Sequence, residues 1–314
     1  MKEPRKKKEK PVPTSFTYHV PVLLNEVMEN LNIKPGGIYV DCTFGGGGHS
    51  KHILEKLGVN GKLIAFDQDA DAKANIPEDP RIIFIRHNFR HIQRFLRLHA
   101  IDEVDGILAD LGVSSHQFDE GERGFSTRFN ADLDMRMDQG QQKKASDILN
   151  TYSESQLHKL FEKFGEVTNS KTLANTIIEA RNVKSLKTID DLKNTVSAIV
   201  KGNPNKYFAQ VFQALRIEVN DELNALKDLL KQSPEVLKKG GRIAVITFHS
   251  LEDRIVKIFF RENSFDKRDE NPFSTEEKKL VLKPVNKKPI EATEEEIKSN
   301  PRSRSAKLRV AEKI

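Results

Sequence analysis

Four consecutive glycines and a histidine, Gly45-Gly46-Gly47-Gly48-His49, stand just after a strand-like run, Ile38-Tyr39-Val40-Asp41-Cys42. A backbone without Cβ atoms lets a ligand approach its amides closely, and a helix starting there points its free N–H groups at the same place. Roughly 20 residues further on, where such folds hold a ribose hydroxyl, Asp67 ends a second strand-like run, Lys62-Leu63-Ile64-Ala65-Phe66. Asp110 ends another, Val104-Asp105-Gly106-Ile107-Leu108-Ala109. Glycine amides and strand-end carboxylates are the chemistry of a nucleotide-derived cofactor. They suit a nicotinamide dinucleotide as well as other adenosine cofactors, although Ser50 stands where a dinucleotide fingerprint has its third glycine.

These residues need a scaffold whose strand ends meet. Ile53, Leu54 and Leu57 have helical spacing after the glycines, and Gly58 is placed to end that helix. Arg81-Ile82-Ile83-Phe84-Ile85 reads as a third strand, so the alternation predicts an α/β fold with a doubly wound, mostly parallel sheet. Asp41, Asp67 and Asp110 then gather at one crevice. The alternation stops after Asp110. Helix signals alone follow, with capping boxes at Ser153–Gln156 and Thr188–Asp191, and an amphipathic run through Val211, Phe212, Leu215, Val219, Leu223 and Leu230 leads back to the sheet. A fifth strand, Gly240 to Phe248, a helix from Glu252 to Phe260, and two strand candidates, 279–285 and 306–311, complete the chain. Only a polar linker is expected between those last two, which predicts an antiparallel last strand. The expected division is a disordered basic tail over 1–13, a sheet domain over 14–117 and 211–314, and an inserted helical domain over 118–210.

The 314 residues are 37% hydrophobic and 31% charged, the composition of a soluble globular protein. No apolar run reaches the roughly 18 residues of a membrane span, and the charged start lacks the apolar stretch of a secretory signal, so a cytoplasmic protein with no membrane partner is expected. Six of the 52 Lys and Arg and two of the 46 Asp and Glu lie in the first ten residues, so the formal charge of +6 falls to +2 without them. Nucleic-acid binding must therefore come from local sites. No Cys/His cluster has zinc spacing, and no metal is expected.

Several blocks, in order, resemble the RsmH/MraW family: His19-Val20-Pro21-Val22-Leu23-Leu24-Asn25-Glu26, the loop from Asp41 to His49, Asp110-Leu111-Gly112-Val113-Ser114-Ser115, Glu122-Arg123-Gly124-Phe125-Ser126 with Leu133-Asp134-Met135-Arg136-Met137-Asp138, Phe248-His249-Ser250-Leu251-Glu252-Asp253-Arg254, and Asn300-Pro301-Arg302-Ser303-Arg304-Ser305. The resemblance runs from about His19 to Val310. It implies an S-adenosylmethionine-dependent methyltransferase acting on the exocyclic amine of a cytidine in small-subunit (16S) rRNA, near the decoding centre. It also implies a class I, Rossmann-like methyltransferase fold whose helical insertion helps to bind RNA; the resemblance leaves a homodimer open. Carried over by position, Gly47, Gly48 and His49 contact the cofactor at the loop, Asp67 at the ribose, Phe89 beside the adenine, and Asp110 and Gln117 towards the methionine end. Two positions depart from the family pattern: His116 where relatives often have proline, and Ala131-Asp132 where Gly-Pro is usual.

Cytosine's amine is a poor nucleophile because its lone pair is delocalised into the ring, so an acceptor for its N–H would assist transfer. Asp110 is the candidate acceptor, with Ser114, Phe248 and His249 as candidates for contacting the cytosine; for His249 a helix-capping role stands equally open. The lone Cys42 lies inside the first strand, away from any place for the thiolate that ring-carbon methylation needs. Arg123, Arg128 and Arg136, interleaved with Phe118, Phe125 and Phe129, offer charge and stacking faces to RNA. Arg302, Arg304, Lys307 and Arg309 form a second basic group. A nicotinamide-dependent oxidoreductase and a non-catalytic RNA-binding assembly factor are the rival readings.

Overall fold

The computed structural model describes residues 21–114, 117–118, 121–265 and 281–314. The basic tail and His116 lie outside the described residues. Strands β1 (Ile38–Asp41), β2 (Lys62–Phe66), β3 (Ile82–Ile85), β4 (Val104–Asp110) and β5 (Leu237–Thr247) pair in parallel in the order β3-β2-β1-β4-β5. The sheet continues through β8 (Lys307–Lys313) to β6 (Leu282–Pro284), while β7 (Ile290–Glu291) also pairs with β8. All three contacts of β8 are antiparallel. The strand candidate at 306–311 is thus the antiparallel strand expected, although it is clamped between β5 and β6 instead of forming the edge.

Alternation along the strands builds two cores. Val40, Ile64, Ile107 and Val245 face Leu226, Leu229, Val256 and Phe259 of the helices Glu222–Val236 and Ser250–Glu262. Tyr39, Leu63, Leu108 and Ile246 face Val27 and Met28 of α1 (Leu24–Asn30) and Ile53 and Leu54 of α2 (Gly48–Lys56). Helices cover both faces, as the class I methyltransferase arrangement requires. A third cluster joins Leu157, Phe161, Leu173, Ile177, Leu192, Val211 and Leu215 into a separate helical core. Both capping boxes read from the sequence are present: Ser153 Oγ accepts from Gln156 N and Thr188 Oγ1 from Asp191 N.

Two local expectations are corrected. The amphipathic run is two helices, Pro204–Asn220 and Glu222–Val236, because Asp221 adopts a left-handed conformation (φ 52°) and turns the chain between the helical and sheet cores. The first of these helices packs in the helical cluster, which therefore continues past position 210. Between β6 and β8 the polar linker contains a short helix, Glu294–Ser299, started by Thr293 Oγ1 accepting from Glu296 N. Glu296 Oε1 also accepts from Leu23 N at 2.8 Å, tying that helix to α1.

Candidate functional site

Parallel pairing brings the C-terminal ends of β1, β2 and β4 to one sheet edge, and Asp41 lies opposite Ala65 and Leu108. Asp67 and Asp110 therefore sit two residues further along, beside the loop that leaves β1. Thr43 joins two of these strands: its Oγ1 accepts from Asp110 N at 2.7 Å. Asp41 is buried and accepts from Thr43 N (3.0 Å) and Ser50 Oγ (2.7 Å), fastening the loop to the first turn of α2.

Gly45, Gly47 and Gly48 are required for geometry. Gly47 caps α2 with φ +75°, in the left-handed region that L side chains adopt at a cost. A Cβ on Gly48 would lie 2.6 Å from Pro21 Cγ. Gly45 N donates to Asp67 Oδ2 at 2.7 Å, and Asp69 N donates to Asp67 Oδ1 at 2.8 Å. Burial pushes the Asp67 carboxyl up to about 6 against these two amides. Each oxygen retains a second lone pair, so the carboxylate can still accept ribose hydroxyls. Asp67→Ala removes a carboxylate placed to accept ribose hydroxyls as well as the anchor of Gly45. We expect roughly a 10- to 150-fold loss of S-adenosylmethionine affinity, the value of one charge-assisted hydrogen bond. Titration calorimetry checks this, and an unchanged affinity contradicts it.

His49 and Asp110 face each other. The buried imidazole has Nε2 3.0 Å from Val22 O, and burial lowers its pKa to about 4, so it is neutral with Nε2–H donating to that carbonyl. Its Nδ1 lone pair then lies 3.6 Å from Asp110 Oδ2. Burial raises the Asp110 carboxyl to about 8, with the charges of Asp41 and Glu252 adding to it. Asp110 Oδ1 is buried and has no hydrogen-bond partner. A donor from outside the chain is what this oxygen lacks.

Phe89 opens the 3-10 turn directly after β3 and is partly buried against the sheet core. Asn88, just before it, caps the turn and donates to Gln68 Oε1 at 2.9 Å, which places Phe89 beside the segment that follows β2. Gln117 is buried: its Nε2 donates to Asp69 Oδ2 at 2.6 Å, its Oε1 accepts from Ser114 N, and its N donates to Ser114 Oγ. Ser114 is thus paired with Gln117. It also lies near the glycine loop, where a Cβ on Gly45 would meet Ser114 Cβ at 3.6 Å. His249 caps the helix Ser250–Glu262, with Nδ1 accepting from Glu252 N and Nε2 3.2 Å from Glu252 Oε1. Phe248 packs near Gly112, where a Cβ would stand 3.6 Å from Phe248 Cδ2.

The arginines divide. Arg123 turns inward: it pairs with Asp69, and its Nη2 donates to the carbonyls of Arg136 (2.7 Å) and Met137 (3.1 Å). Arg136 forms a two-pronged pair with Asp134 at 2.7 and 2.8 Å and bonds the carbonyls of Gln139 and Gln141. Both were expected to face RNA; desolvation on a crowded loop makes carboxylates and carbonyls their partners instead. Arg309, from the second basic group, is buried against Asp253 at 2.7 Å in the same way. Arg128 is exposed and lies over the Phe118 ring. Sequence reasoning missed Asp69, although its place two residues after Asp67 was a signal. It also missed Glu222 and Glu252, whose carboxylates lie within 4.8 Å of each other and of His249. Arg216 takes both Glu222 oxygens at 2.9 and 3.0 Å, so a guanidinium already supplies the cation there.

The sequence pattern of the MraW methylase family matches residues 16–314. The chain belongs to that family. Its methyl donor is S-adenosylmethionine, and the residues at the strand ends fit it: a glycine loop open to close approach, the Asp67 carboxylate, and the orphaned Asp110 oxygen. The chain is 54% identical over 302 residues to a protein from Flavobacterium johnsoniae named ribosomal RNA small subunit methyltransferase H, covering 96% of this chain and 99% of that one. A protein of the same name from Azobacteroides pseudotrichonymphae is 52% identical over 305 residues, with the same coverage. A methylase leaves the nicotinamide reading without support. No helix among the described residues is long and apolar enough to cross a membrane.

Proposed function

We propose that this methylase transfers a methyl group to the exocyclic N4 of a cytidine in small-subunit 16S rRNA, near the decoding centre. The observation that carries the choice of amine is Asp110 Oδ1, a buried acceptor without a donor at the strand ends. When bound, S-adenosylmethionine supplies an electrophilic methyl carbon. Gly47, Gly48 and His49 shape the loop around it, Asp67 holds the ribose, Phe89 provides an apolar face for the adenine, and Gln117 orients the methionine end. Asp110 Oδ1 has two lone pairs, enough for an N–H of the methionine end and an N–H of the cytosine amine. Holding that N–H makes nitrogen more nucleophilic and prepares it to lose its proton. Ser114 Oγ accepts from Gln117 N and keeps its own O–H to donate to the base. Ring-carbon methylation has no nucleophile here: Cys42 is buried in the sheet core, and burial holds its thiol well above the usual range.

The target base must leave its stack to reach the strand ends, so the substrate is an unpaired or flipped cytidine. The test is transfer of labelled methyl to free 16S rRNA, small subunits and whole ribosomes side by side, followed by mass mapping. We expect one N4-methylated cytidine on the small-subunit RNA. Cofactor binding with no transfer to any of the three would favour the non-catalytic assembly factor and overturn the proposal.

A further inference from the structure

We propose that Phe118, flanked by the guanidinium groups of Arg128 and Arg302, is a clamp for single-stranded RNA at the rim of the cofactor crevice, gripping a nucleotide beside the one that is methylated. This rests on the reading of the chain as an rRNA methyltransferase. Arg128 Cζ lies 4.9 Å and Arg302 Cζ 5.5 Å from the centroid of the Phe118 ring. The two arginines come from distant parts of the chain, one from the loop that opens the helical insertion and one from the turn Pro301–Ser305 before β8. The fold has gathered two basic groups onto one aromatic ring.

The arrangement suits a polyanion with flat bases. A phosphate that reaches both guanidiniums is attracted by two positive charges at once. Two planar guanidiniums held over a half-buried aromatic ring offer flat, charged faces on which any base can stack. Arg304 is exposed two residues beyond Arg302, and Phe129, 47% exposed, follows Arg128, so charge and aromatic surface extend to both sides. The position is tied to the chemistry. Gln117, the residue before Phe118, is buried on Asp69, and Ser114 lies against the glycine loop. Double-stranded RNA hides its base faces, so the occupant is an unstacked single strand.

The test uses the full chain and fluorescence anisotropy with a labelled, cytidine-containing single strand of about 12 nucleotides, within the range of such sites, and with a duplex of the same sequence. Phe118→Ala is expected to weaken single-strand binding roughly 5- to 150-fold, the value of one base stack, with little effect on the duplex. Arg128→Ala and Arg302→Ala are each expected to lower the slope of log affinity against log salt by ~0.7, one phosphate contact on a single strand. In methyl transfer all three should raise KM for the RNA more than they lower kcat, while calorimetry shows unchanged S-adenosylmethionine affinity. Should Phe118→Ala fail to fold, the two arginine variants carry the test. Wild-type affinity and salt slope in the folded variants, or equal losses on single strand and duplex, would overturn the clamp. Such a result with wild-type protein still methylating small subunits leaves the function standing; a wild-type protein that methylates no ribosomal RNA rejects the function itself.

Discussion

Asp110→Asn is expected to lower kcat roughly 100- to 10,000-fold, the range of a positioned proton acceptor, while making the cofactor-free protein less sensitive to pH. Asparagine keeps an oxygen that can accept an N–H and matches the shape of the acid, whose Oδ2 stands 3.6 Å from His49 Nδ1, so the fold is preserved. It cannot ionise, and in the wild type only the ionised carboxylate can take the proton released on transfer. The stability effect follows from the carboxyl's rise from 3.8 to about 8. A raised pKa means that the folded state binds the proton more tightly than the unfolded chain. The resulting stability is fully present below the unfolded value and is lost as pH rises towards about 8. His49 acts in the opposite sense: with its pKa lowered to about 4, it adds stability as pH climbs from 4 to 6.5 and masks the fall there. Asp67, raised to about 6, has given up most of its share by 6.5. Between pH 6.5 and 8 Asp110 is left, and the slope is at most ~1.4 kcal/mol per pH unit. Thermal unfolding of both proteins across that interval checks the sign. A wild-type stability that rises from pH 6.5 to 8, or a variant that falls as steeply, contradicts the protonated Asp110.

Arg123→Ala should cost about 3–5 kcal/mol of stability, as when one member of a buried ion pair is removed. The side chains of Arg123 and Asp69 are 11% and 5% exposed, so water cannot replace the lost guanidinium. Asp69 would keep the Gln117 amide and the Asp71 N–H but lose its bonded cation, while the carboxylates of Asp67 and Asp71 stay close by. The carbonyls of Arg136 and Met137 would lose their donor as well. Arg123 thus connects the segment after β2 to the loop that opens the insertion. Arg123→Lys keeps the charge without the planar fork, and it should recover part of the loss. Urea unfolding measures both variants. A cost below about 1 kcal/mol would place this pair with ordinary surface salt bridges.

The placement of the glycine loop and the strand-end acids was legible because its signals are local. A glycine run after an apolar strand, an acid at the end of the next strand and another at the end of the fourth need only the period of two and parallel pairing to be brought together. The capping boxes at Ser153 and Thr188 were legible for the same reason. The charged residues of the insertion loop were not. Arg123, Arg128 and Arg136 have the same side chain and lie within a few turns of one another. Two are part-buried in ion pairs with Asp69 and Asp134, while Arg128 reaches an aromatic ring. Which partner an arginine takes depends on how much water the surrounding chain leaves it.

By itself the sequence determined the alternation of strand and helix, the glycine loop, Asp67 and Asp110 at the strand ends, the antiparallel closing strand and the family whose motifs the chain carries. These are properties of short segments and of their order. Only the tertiary structure decided that Asp221 splits a continuous amphipathic run, that β8 enters between β5 and β6, that Asp69 holds Gln117 and Arg123, and that Arg302 meets Arg128 across Phe118. Each of these depends on groups far apart in the chain, whose burial sets the strength of their interaction, and burial exists only once the chain has folded.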